Sequence, residues 1–146
     1  MSARVWLVAA LMLCGCGDVT EVVMVVDSDL TIPNDVDTIE MRVSGNGSNT
    51  ITQPLVVLPS SIGFLPGGSS AFSVSVALIR SRDQATVVAR SASDVRFVEG
   101  RTMMLVLMLP AACACDGTNC PNPETNPDCD SLVTPKLEPF TIGSAR

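Results

Sequence analysis

Residues 38–43 read TIEMRV, and their alternation decides the fold class. Ile39, Met41 and Val43 fall on one face of an extended chain, and Thr38, Glu40 and Arg42 on the other. A period of two with one apolar face is the pattern of a half-buried strand. Downstream, Phe72, Val74, Val76 and Leu78 alternate with Ser73, Ser75 and Ala77 in the same way. Residues 22–26 (VVMVV) and 102–109 (TMMLVLML) are short apolar runs, expected to be buried strands. Residues 55–58 between Pro54 and Pro59, residues 85–90, and Val95 with Phe97 around Arg96 are expected to form further short strands. Residues 45–49 (GNGSN), 66–68 (PGG), 81–84 and 99–100 supply turn residues between them. No long stretch keeps a period of 3.6. The expectation is an all-β chain: an antiparallel β-sandwich, immunoglobulin-like, of about seven strands, with a C-terminal Cys-rich loop.

The chain has 146 residues, enough for one domain with a real core. Apolar residues make up 47% and charged residues 16%, a balance that excludes wholesale disorder. The net charge is -6; without Arg4, 8 basic side chains face 15 acidic ones, a net of -7. Nucleic acid is not an expected partner, because binding it needs a basic face to neutralise phosphates. Arg80, Arg82, Arg90, Arg96 and Arg101 are interleaved with Asp83, Asp94 and Glu99, and are expected to be solvated strand ends and turns. There is no His and no Tyr, and the one Trp is Trp6. Triads and pairs that use imidazole are therefore excluded, and no catalytic centre, enzymatic activity or cofactor is expected.

Residues 1–17 read MSARVWLVAALMLCGCG. Arg4 gives a short positive region, and residues 5–13 are uninterruptedly apolar. That length suits a signal peptide and falls far short of the ~20 residues of a spanning helix. Leu13-Cys14-Gly15-Cys16 then resembles a lipobox, with an aliphatic residue at -3, a small one at -1 and the acceptor Cys at +1. Residues 1–15 are expected to be removed and Cys16 to carry lipid. Several acyl chains, palmitate among them, give stable anchoring where one chain is marginal.

The expected organisation continues with a β-sandwich over 16–110, a disulfide-rich loop over 111–130 and a Pro-punctuated tail over 131–146. Cys113, Cys115, Cys120 and Cys129 are an even number in an exported chain, so two disulfides are expected. Cys113 and Cys115 are too close to pair comfortably, which favours each pairing with Cys120 or Cys129. A four-thiolate zinc site lacks its paired CxxC knuckles here, and no metal site is expected.

Seven acids and no base lie between Asp18 and Glu40, with Asp27-Ser28-Asp29 and Asp35-Val36-Asp37 placing carboxylates at i, i+2. Oxygen clusters of this kind can bind calcium. Residues 116–130 resemble a fragment of a thrombospondin type 3 repeat through Asp116-Gly117, Asn119-Cys120-Pro121 and Asn126-Pro127, although the serial D-x-D-x-D-G units of that family are missing.

The leader LMLCGCG, the pair VVMVVDSDL and DVDTIEMRV, the run FVEGRTMMLVLMLPAAC at 97–113 and the close PKLEPF at 135–140 together resemble the small uncharacterised exported lipoproteins of myxobacterial type. The resemblance implies an exported lipoprotein with a β-rich domain, Cys16 being the position that carries over. The expected function is a membrane-anchored module with a non-enzymatic structural or protein-binding role. The alternative is a calcium- or carbohydrate-binding surface module. Expected partners are the membrane, through the lipid, and an envelope protein. The expected location is the cell envelope, lipid-anchored, with the outer membrane favoured over the inner.

Overall fold

The computed structural model describes residues 19–117, 119–121 and 137–140. Among these residues eight strands run in chain order: β1 Glu21–Asp27, β2 Thr38–Gly45, β3 Gly47–Pro54, β4 Ser60–Phe64, β5 Ala71–Arg80, β6 Ala85–Arg96, β7 Thr102–Met108 and β8 Leu137–Pro139. The one helical element among the described residues is a single 3-10 turn, Ala111–Cys113. The strands form two four-stranded sheets, ordered β4-β1-β7-β8 and β3-β2-β5-β6. Every pairing is antiparallel except one: β1 lies parallel to β7, with Val22 opposite Met103 and Val26 opposite Leu107.

Both sheets feed one core. β1 turns Val22, Met24 and Val26 inward, β7 Met103, Leu105 and Leu107, β2 Ile39 and Met41, and β5 Phe72, Val74, Val76 and Leu78. Val88, Ala92 and Val95 of β6 join the same buried cluster, as do Val36, Leu55 and Leu109 from the loops. Two apolar faces closing on one core is the arrangement of a β-sandwich, and the chain is all-β with mostly antiparallel sheets.

Several sequence expectations need correction. Residues 55–58 are not a strand. Leu55 is buried and donates its N–H to the Asp37 carbonyl at 2.8 Å, while Val56 and Val57 stand in solvent. The flanking prolines have no N–H to offer a ladder. The strands on either side, β3 and β4, were not expected. β3 (GSNTITQP) is an exposed edge, polar on both faces apart from half-buried Ile51, so it carries no alternation signal. The turn before it is tighter than expected, because Gly45 pairs with Gly47 and only Asn46 lies between. Residues 95 and 97 do not make a separate strand. β6 runs through to Arg96 by way of two register shifts against β5. Asp94 sits at one of them with a φ of 53°, a left-handed conformation that Asp tolerates. Part of the expected tail belongs to the sheet, since β8 pairs with β7 through Leu137 opposite Leu105.

Candidate functional site

The sandwich has two ends with different chemistry. One is the end at which β1 begins. β4 finishes there at Phe64, β7 starts at Thr102, β8 finishes at Pro139, and the β2–β3 hairpin and the β6–β7 turn reach the same end. Hydrogen bonds stitch these pieces together: the Gly100 N–H donates to Thr20 Oγ1 at 2.9 Å, Phe140 N–H to the Thr102 carbonyl at 3.0 Å, and Phe97 N–H to the Ser70 carbonyl at 3.0 Å. Asn46 Nδ2 reaches across the two sheets to the Gly67 carbonyl at 3.2 Å. Glu21 folds its carboxylate over Gly63, where a β-carbon would collide with it.

An open cleft of about 450 Å³ lies at this end, between the β3 and β4 edges. Val43, Ile51, Ile62, Phe64, Phe72 and Phe97 line it, with Asn46, Ser48 and Asn49 on its rim. The ring of Phe72 touches both other phenyl rings, with centroids 4.9 Å from Phe64 and 5.2 Å from Phe97. Among the described residues, no titratable side chain lines this cleft. The described lining is an apolar surface with amide and hydroxyl groups beside it.

The opposite end holds most of the acidic residues that the sequence singles out, and the structure shows what they do. Asp29 accepts the Ala111 N–H at 2.6 Å, tying the first loop to the start of the Cys-containing segment. Asp35 accepts the N–H and hydroxyl of Thr31, at 2.9 and 2.6 Å. Asp37 accepts the Ser81 N–H and hydroxyl, at 2.9 and 2.6 Å, and the Thr38 hydroxyl at 3.0 Å. Asp83 pairs with Arg80 at 2.7 Å. These bonds favour the ionised form, so Asp35, Asp37 and Asp83 are all held below the ordinary carboxyl value, with the Thr31, Ser81 and Arg80 contacts respectively as the leading cause. The acids thus close loops upon themselves. Among the described residues, no three His, Cys, Asp or Glu side chains converge on a position for a metal ion.

At this same end the chain between β3 and β4 projects Val56 and Val57, 81% and 63% exposed. They form an apolar tip between Pro54 and Pro59. The sequence alone predicts a short strand over residues 55–58. The signal that distinguishes them is the proline on either side, which forbids a central ladder.

Of the expected site residues, Cys115 and Cys120 are joined by a disulfide. Cys113 is buried and also disulfide-bonded. Cys16 and Cys129 lie outside the described residues. The Cys115 N–H donates to the Val87 carbonyl at 2.6 Å, which seats the loop against the free edge of β6. Covering an edge in this way keeps its backbone groups from pairing with another chain. Arg90 departs from its expected solvated role. It lies opposite inward-facing Val76, places a guanidinium nitrogen 4.0 Å from Cys113 Sγ, and burial pushes its pKa down.

The two central strands of sheet β4-β1-β7-β8 are apolar on their outer face as well, where Val23 and Val25 of β1 lie beside Met104 and Val106 of β7. This explains why both strands read as continuous apolar runs rather than alternating ones. Among the described residues, no helix is long and apolar enough to cross a membrane. No family model matches the chain, and neither the curated proteins nor the solved structures contain a match.

Proposed function

We propose that this chain is an exported lipoprotein, held at a bacterial membrane through Cys16, whose β-domain works without a catalytic centre by presenting its far end to a protein partner in the cell envelope. The observation that carries the partner reading is the Val56–Val57 tip, two adjacent apolar side chains in solvent on a proline-framed loop. Singly exposed valines are ordinary; a paired tip at the end of a β-scaffold is where such folds make contacts. The anchor reading is supported by Leu13, Gly15 and Cys16 directly after the apolar run at 5–13. The finer fold assignment we propose is an immunoglobulin-like sandwich, supported by the strand number and the two-sheet arrangement. Its departures are the β2–β3 hairpin within one sheet and the parallel β1–β7 pair.

Two experiments test this. Cys16→Ala is expected to leave the membrane fraction or to accumulate as precursor; unchanged processing and fractionation would refute the anchor. A photoreactive residue at Val57 is expected to cross-link one discrete envelope protein in intact cells, and Val56→Asp to abolish the adduct. A Val57 probe that gives no more than one at exposed Ser48 would refute the partner reading.

A further inference from the structure

We propose that the end of the domain where β1 begins is seated directly in the lipid bilayer, with Val19, Leu65, Val98 and Phe140 entering its interfacial layer. This rests on the reading of Cys16 as the lipidated residue. Seven large hydrophobic side chains are exposed among the described residues, and these four belong to one end. They come from four separate segments: the residues before β1, the loop after β4, the β6–β7 turn and the residue after β8. Topology brings them together, because all four segments meet at the end shared by Glu21, Phe64, Thr102 and Pro139. The hydrogen bonds from Gly100 to Thr20 and from Phe140 to Thr102 fix three of the segments to one another.

The occupant follows from the tether. Only Gly17 and Asp18 separate Cys16 from Val19. Three Cα steps of 3.8 Å span about 11 Å at full extension. A folded protein could not fit between this end and the membrane, because two packed sheets alone lie about 10 Å apart before their outer side chains are counted. Lipid is what remains within reach. Apolar faces at membrane surfaces bury roughly 5–10 Å into the headgroup boundary, which is commensurate with a tether of this length. The charged side chains described at this end, Glu21, Asp94, Glu99 and Glu138 against Arg96 and Arg101, bring no positive excess. The contact is accordingly apolar, and it should not depend on anionic lipid or on salt.

The test uses the full lipidated chain in vesicles of phosphatidylethanolamine and phosphatidylglycerol containing lipids brominated along their acyl chains. The one Trp of the sequence, Trp6, precedes Cys16, so single Trp substitutions report on their own surroundings once the leader is removed. Leu65→Trp and Val98→Trp are expected to be quenched several-fold more than Val56→Trp at the far end and Val106→Trp on the outer sheet face. All four receiving positions are exposed, and circular dichroism checks that each variant keeps its strands. Equal quenching at the two ends would overturn the seat, and so would strongest quenching at Val106→Trp, which would lay the domain on its sheet face. The mass of the N-terminal peptide separates the two claims. No acyl mass on Cys16 refutes the anchor, and the seat with it. An acylated Cys16 with Leu65→Trp and Val98→Trp unquenched refutes the seat alone.

Discussion

Strand β7 reads TMMLVLM, apolar at six of its seven positions, so the sequence does not say which side chains face the core. The structure does: Leu105 is 1% exposed and its neighbour Val106 is 41% exposed. Leu105→Ala should remove a fully buried side chain and leave a cavity between the sheets. Loss of transfer free energy together with the cavity costs about 2.7–5 kcal/mol in comparable cores. Val106→Thr keeps the β-branched shape on a partly solvated face, and should cost about 0.5 kcal/mol or less. With a urea m-value of about 1.5 kcal/mol/M, a cost of about 3 kcal/mol lowers the midpoint by about 2 M. Urea unfolding followed by far-ultraviolet circular dichroism, without reductant, reads both variants. Were Val106 the inward residue, its new hydroxyl would be buried without a partner, at a cost of about 1–3 kcal/mol. A Val106→Thr midpoint as low as that of Leu105→Ala would refute the register assigned to β1 and β7.

Further outcomes follow from the loops. Non-reducing peptide mapping should recover Cys115 linked to Cys120 and no free thiol at Cys113; free thiols or bound zinc would refute the pairing. Asp37 is stabilised as the carboxylate, so its contribution is complete above the ordinary carboxyl pKa of 3.8 and is lost as pH falls through its lower folded value. Asp37→Asn should therefore be less stable than wild type at neutral pH, and the gap should narrow as acid is added, as read by thermal melts across that range. Calcium titration by calorimetry should give no stoichiometric heat, because the carboxylates at the far end already hold backbone and side-chain donors. Tight binding abolished by Asp29→Ala would instead favour an ion-binding module.

Four strands were legible from their apolar pattern. β2 and β5 alternate, and β1 and β7 are short apolar runs bounded by acids or proline. β3 and β4 were not legible. β3 has little to bury beyond Ile51 and looks like loop, while β4 sets Ile62 and Phe64 against the core but, at five residues with Ser and Gly between them, is too short to show a period. The 55–58 segment misled for the opposite reason, since an apolar run reports hydrophobicity and not whether the backbone can enter a sheet. Parallel pairing of β1 with β7 was invisible, because nothing local in either strand specifies its neighbour. The exposed apolar side chains at the end where β1 begins were hidden in the same way: Val19, Leu65, Val98 and Phe140 share no motif and meet only through topology. The disulfide loop was the best marked of the candidate features, as the even cysteine count in a Pro-rich stretch led to the region where Cys115 and Cys120 are joined.

The β1–β7 pairing also orders events in time. Ser28, just after β1, donates its hydroxyl to the Leu109 carbonyl, 81 residues further along. A chain delivered from its N-terminus therefore exposes β1 long before β7 arrives to lie beside it. Pairings of such sequence separation are slow to form, and until they do VVMVV is a bare, sticky strand. Glu21 and Asp27 bracket that run, and like charges at the margins of an apolar segment discourage one nascent copy from zippering onto another.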